Sequence, residues 1–132
     1  RYHLKYAESE DGINWKRNGI VAIDYQNQEE AGIVKASVII EDGSYKMWYS
    51  YRKLKNYRTD KNNSYRIGYA ISKDGKNWAR MDDVMKMDLS DKGWDSQMLA
   101  YPHVVKVEDK LLMFYNGNGF GQSGFGYATL ED

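Results

Sequence analysis

Between Tyr45 and Tyr51 the chain alternates in a way that fits only an extended strand. Tyr45, Met47, Tyr49 and Tyr51 fall on one face, and Lys46, Trp48 and Ser50 on the other. Large aromatics stand on both faces, so this strand is expected inside a sheet that is covered on both sides. It follows the β-branched run Val34 to Glu41 across an Asp42-Gly43 turn; at the Asp11-Gly12 and Asp74-Gly75 turns the chain needs positive φ, which Gly takes freely and Asp tolerates. A third strand, Tyr65 to Ile71, sets bulky Tyr65, Ile67, Tyr69 and Ile71 against small Gly68, Ala70 and Ser72. The small face leaves room for Trp48-type neighbours or an adjacent sheet. Met98 to Val107 repeats the pattern of Val34 to Glu41. Residues 24 to 31 and Arg52 to Ser64 are polar and read as loops. Met81 to Ser90 reads as a loop too, because its weak helical periodicity lacks caps.

The pattern recurs along the chain. Tyr65 to Trp78 matches Tyr2 to Trp15 at eight of fourteen positions, 63 residues apart, and Phe125-Gly126-Tyr127-Ala128 is a partial third copy. Met47-Trp48-Tyr49 aligns with Met113-Phe114-Tyr115, 66 residues apart, and the same offset puts Val38 on Val104. A period of 63 to 66 residues with four strands per unit describes consecutive four-stranded antiparallel sheets, the blades of a β-propeller. The expected fold is all-β: the end of one blade (1–23), a full blade (32–81) and three strands of the next (97–132). Turns are expected at Asp11-Gly12, Asp42-Gly43, Asp74-Gly75 and near Asp109. A closed propeller needs about four blades or more, so this is an incomplete one. Two open, aromatic-rich faces then call for self-association or for further blades of a parent chain.

Composition narrows the chemistry. The 132 residues suffice for one domain, and aromatics at 14% suit short strands. Nineteen basic residues balance nineteen acidic ones, which argues against a duplex nucleic-acid partner, and no window is apolar enough for a helical membrane span. With no cysteine there is neither a disulfide nor a thiolate metal site, and the compartment stays open. The chain starts at Arg1 inside a strand pattern and reads as a piece of something longer.

Val34-Lys35-Ala36-Ser37-Val38-Ile39, Asp42-Gly43 and Tyr45-Lys46-Met47-Trp48-Tyr49-Ser50 together resemble a blade of the five-bladed β-propeller glycosidases, the glycoside hydrolase 43-like, arabinanase, levansucrase and invertase group. Tyr101-Pro102-His103-Val104-Val105-Lys106 is similar to an inner strand of that group, and Ser72-x-Asp74-Gly75-x-x-Trp78 resembles a sialidase Asp-box one residue shorter. The resemblance implies cleavage of glycosidic bonds by two carboxylates, one protonating the leaving oxygen while the other attacks or activates water. The positions it implies for them are Lys35 and Ala100, neither of which is an acid. Either these blades are the non-catalytic part of a larger enzyme, or the chemistry has been lost.

What remains is a carbohydrate-active segment, with a non-catalytic glycan- or protein-binding module as the alternative. Lys35, Tyr101 and His103 are the expected sugar contacts at the channel end of the inner strands, and Asp95 is the candidate for a relocated catalytic carboxylate. The other reading of Asp95 is an acceptor for loop N–H groups. Glu29, Glu30 and Asp91 are the other acids near inner-strand starts. The basic loop Arg52 to Lys61 either meets anionic sugar or is solvated. Gly119-Phe120-Gly121-Gln122-Ser123-Gly124 matches a dinucleotide pattern without the helix that pattern requires, so it is read as a hairpin loop. His3 and His103 have no partners at metal-ligand spacing; no metal and no cofactor is implied.

Overall fold

The computed structural model describes residues 1–130, which form nine strands in three antiparallel sheets and no α-helix. β1 (Leu4–Lys5) and β2 (Val21–Ile23) make a short ribbon. β3 (Glu30–Glu41), β4 (Ser44–Lys53), β5 (Arg66–Ser72) and β6 (Ala79–Arg80) make a four-stranded meander. β7 (Ala100–Val107), β8 (Lys110–Asn116) and β9 (Phe125–Thr129) make a three-stranded one. The expected all-β, blade-like architecture is what the chain adopts, and the sheets do not close into a ring. One parallel bridge, between Tyr2 and Gly32, stitches the first residues onto β3.

The strand ends differ from the sequence pattern in places. β3 begins at Glu30, ahead of the β-branched run, and β4 continues through Arg52 to Lys53, which takes Arg52 out of the expected loop. Met81 to Ser90 is a loop, opened by a 3-10 turn at Asp82–Val84. At Asp42-Gly43 both residues have positive φ, 51° and 69°, as the turn chemistry requires. At the other Asp-Gly pairs the aspartate works differently. Only Gly12 and Gly75 are left-handed, while Asp11 and Asp74 fold the turn as acceptors. Asp11 Oδ1 takes the N–H groups of Ile13 and Asn14, both at 2.8 Å, and Asp74 Oδ1 takes those of Lys76 and Asn77 at 2.9 and 2.8 Å. Trp15 and Trp78 each donate the indole N–H to the carbonyl of the turn glycine.

The middle sheet is buried on both faces, as its aromatics demand. Met47 and Tyr49 of β4, with Ile33 and Ala70, pack towards the first ribbon against Ile23. Trp48 of β4 and Ile67 of β5 pack the other way, against Leu99, Val104, Leu111, Met113 and Tyr115. Each such side chain contributes about 1.5–3 kcal/mol on burial. The space left by Gly68 is filled by Tyr49, not by Trp48. A Cβ there would lie 2.5 Å from Tyr49 Cε2, whereas Trp48 tilts against Tyr69 on the opposite face.

On the side of the first ribbon the polar groups beside this core are paired. Arg80 spans from β6 to the start of β3, giving Glu30 two hydrogen bonds at 2.7 and 2.9 Å and Asp82 two at 2.5 and 3.1 Å. Asp82 also accepts the Tyr49 hydroxyl and the Tyr69 N–H. Burial and the bond to Asp82 push the Tyr49 phenol well above its usual range.

Two outcomes test this architecture. Gly68→Ala, which drives a methyl into Tyr49, is expected to cost about 1–3 kcal/mol in urea unfolding; an unchanged midpoint would show that Tyr49 can step aside. Backbone and Asn N–H donors hold the Asp11 and Asp74 carboxyls far below the usual range. Depressed carboxyls stabilise the fold above the unfolded pKa near 4 and lose that contribution as pH falls through the folded value. The stability gap between the wild-type chain and Asp74→Ala is therefore expected to narrow below about pH 4, measured by urea titration across pH.

Candidate functional site

The two ends of the sheets are built differently. Short turns at 42–43 and 108–109 close one end, while the long connections 54–65 and 117–124 gather at the other. Long loops on a rigid sheet scaffold are where binding groups concentrate. The inner strands prepare this end in the same way. β3 carries a bulge between Val34 and Ser37, and β7 carries one between Ala100 and His103. Each bulge holds a non-glycine residue in the left-handed region, Lys35 at φ 54° and Tyr101 at φ 59°.

Two backbone N–H groups of β7, one inside its bulge and one just beyond it, are received by buried serines of the second sheet. Ser50 Oγ, fully buried on β4, accepts the Tyr101 N–H at 2.7 Å. Ser37 Oγ on β3 accepts the Val104 N–H at 2.8 Å. These two bonds dock the third sheet onto the second and fix the direction of Tyr101.

Tyr101 then meets a set of rings from separate parts of the chain. Its ring lies 5.7 Å from that of Tyr65, and Phe120 stands edge-on to Tyr65 at 6.1 Å. Phe120 is itself left-handed, at φ 62°, between Gly119 and Gly121. Among the described residues, Lys35, Asn56, Tyr101 and Phe120 are four of the six non-glycine residues with positive φ, and the other two, Asp42 and Glu108, lie in the short turns. Such strain costs about 1–3 kcal/mol per residue and gathers at functional sites.

Arginines complete the cluster. Arg52, 7% exposed, lies with its guanidinium carbon 3.7 Å from the Tyr57 ring centre and donates to the Tyr2 hydroxyl at 3.1 Å. Arg58 lies over Tyr57 and Phe120 at 5.1 and 5.0 Å. The Tyr2 and Tyr65 hydroxyls are 2.9 Å apart. Burial pushes the Tyr2 phenol up, but the Tyr65 and Arg52 bonds outweigh it and bring Tyr2 below its ordinary value. Tyr65 is raised, mainly by burial.

The expected contacts are only partly brought together. Tyr101 faces the cluster. Lys35 is exposed on its own bulge. His103 is exposed and pairs across the strand with Phe114, on the open face that also carries Tyr127. Asp95 is buried, and its carboxylate accepts the Tyr115 hydroxyl at 2.8 Å, not the loop N–H groups expected of it. Burial, with that bond second, raises the Tyr115 phenol. The ring of Tyr115 stacks on Trp94 at 5.1 Å, and Trp94 sits where Cβ atoms on Gly117 and Gly126 would collide with it. Glu30 is committed to Arg80. Tyr2, Tyr65 and Phe120 were not among the expected contacts, while Arg52 and Tyr57 belong to the basic loop for which contact with anionic sugar is one of the two expected roles. The basic residues of the long loop Arg52 to Lys61 were the one signal for this cluster. Among the described residues no group of three or more potential metal ligands occurs.

The fold that carries this cluster is a glycoside hydrolase-like all-β fold. A solved glycoside hydrolase matches 96% of the chain, and 35% of its own length, with a TM-score of 0.67 and 22% identity. A structure described as a complex of BT0996 with RGII matches with the same four values. Zg3597, a family 117 glycoside hydrolase from the marine bacterium Zobellia galactanivorans, matches 84% of the chain and 38% of its own length, with a TM-score of 0.67 and 17% identity. In sequence, the uncharacterized Mycobacterium tuberculosis proteins MT1551 (strain CDC 1551 / Oshkosh) and Rv1502 (strain ATCC 25618 / H37Rv) are each 34% identical over 129 residues. The alignment spans 98% of this chain but only 40% of those relatives. No family model matches the chain.

The serine acceptors give a direct test. Ser50→Ala leaves the Tyr101 N–H buried and unpaired, and is expected to cost about 1–3 kcal/mol. Chemical denaturation measures it, and a loss of a few tenths would mean that the N–H finds another acceptor.

Proposed function

We propose that the chain is the carbohydrate-contacting but non-catalytic part of a glycoside hydrolase-like protein. Its units are the end of one blade (1–23), a full blade (32–81) and three strands of the next (97–132). The observation that carries the reading is the gathering of strained, ring-bearing residues at the long-loop end. Tyr101, Phe120 and Tyr57 offer flat apolar faces, the two tyrosines with a polar hydroxyl at the edge, the surface that a pyranose ring takes. Tyr101 is the member of this group that the resemblance to the propeller glycosidases also implies. Lys35 and His103 lie on the same inner strands and extend the surface beyond the rings.

Catalysis needs an acid and a base on either side of the glycosidic bond. Glu30 is held by Arg80, Asp95 lies buried under Tyr115, and Lys35 and Ala100 replace the implied carboxylates. Losing one catalytic group costs a factor of about 10² to 10⁴. Similarity to a family 117 glycoside hydrolase and to a protein solved as an RGII complex supports the sugar-handling class. The chain spans 40% of the relatives' length, which favours carboxylates supplied from elsewhere in a longer protein.

The isolated chain is expected to show no turnover of aryl arabinofuranosides, xylosides or mannosides, and to bind oligosaccharides weakly. Phe120→Ala and Tyr101→Ala are each expected to weaken binding in an NMR titration. Turnover that vanishes in Asp95→Asn would make Asp95 catalytic; binding untouched by both ring deletions would move the site away from the long-loop end.

A further inference from the structure

The middle sheet buries two arginines and neutralises only one of them. Arg80 faces two carboxylates, Glu30 and Asp82. Arg52 faces none: among the described residues no carboxylate comes within ion-pair distance of Arg52 or of its neighbour Arg58. Arg52 is held instead by the Tyr2 hydroxyl, the Lys53 carbonyl at 2.9 Å and the face of Tyr57, and its Nε has no partner. Arg58 donates Nε to the Tyr57 hydroxyl at 3.1 Å and, being exposed, turns its other donors to solvent. Ring faces attract a cation but do not cancel its charge. A buried charge is ordinarily paired, because desolvation without a counter-ion is costly. Two guanidiniums on the same Tyr57 ring, neither with an acid, therefore leave a positive site beside the sugar-facing rings.

We propose that an anionic group on the ligand, a sugar carboxylate or a sulfate ester, provides the missing counter-charge, so that the cluster selects acidic sugars. The proposal rests on the carbohydrate reading above and names its substrate class. Arg58 presents the fork that pairs with planar oxyanions, while Arg52 contributes field from behind Tyr57.

The test uses the 132-residue chain and three oligosaccharides of matched length: a galacturonan, a sulfated galactan and a neutral galactan, titrated by NMR. At least one acidic ligand is expected to bind about tenfold more tightly than the neutral one, with the preference shrinking as salt is added. The tighter acidic ligand identifies the anion. Arg58→Gln is expected to abolish the preference without moving the unfolding midpoint, since its side chain is on the surface. Equal affinity for neutral and acidic ligands would overturn the proposal and leave the carbohydrate reading intact. So would an acidic preference that survives in Arg58→Gln. Absence of binding to all three would overturn both.

Discussion

Everything in this molecule follows from one sheet that cannot be left half-covered. β4 alternates Met47 and Tyr49 with Trp48 and Ser50, so neither of its faces can meet water without exposing large apolar surface. A second layer must lie on each side, and the chain supplies both in sequence order, the short ribbon before and the three-stranded sheet after. Face-to-face stacking of successive meanders is then the arrangement that covers both sides with short connections. The glycines serve the same need. Gly68 lets Tyr49 lie against β5, and Gly117 with Gly126 lets Trp94 lie across the third sheet.

Stacked sheets carry a polar debt, because strands that bulge leave amides without partners. Ser50 and Ser37 of the second sheet receive two such amides of β7, those of Tyr101 in its bulge and of Val104 beyond it, so the distorted stretch of β7 is also where the third sheet joins the second. The distortion has a directional result. Tyr101 leaves the plain alternation of β7 and turns towards Tyr65, while His103, two residues on, stays in register with Phe114 on the open face. Phe120 is aimed at the same place by a left-handed backbone between two glycines.

The parts of this that were legible in the sequence are local. Alternation gave the faces of β4 and β5, the Asp-Gly pairs gave the turns, and the 63 to 66 residue period gave the succession of sheets. The parts that were hidden depend on distant partners. Nothing around Arg52 distinguishes a buried arginine from a solvated one until Tyr2, 50 residues earlier, and Tyr57 close over it. Asp95 could be read as a turn acceptor because the phenol that occupies it arrives from β8, 20 residues later. The role of Asp11 and Asp74 was half visible: their turns were expected, but the work they do is hydrogen bonding rather than tolerance of positive φ.

The two serine-bound amides also have a kinetic meaning. Within each sheet, amide protons are shielded by the ladder and exchange when a strand frays. The protons on Tyr101 and Val104 are shielded by hydroxyls that belong to another sheet. They open only when the second and third sheets part, so their exchange rates time the separation of layers while their neighbours time the fraying of strands. The chain thus carries, in two backbone positions, a built-in distinction between coming undone along a strand and coming apart between layers.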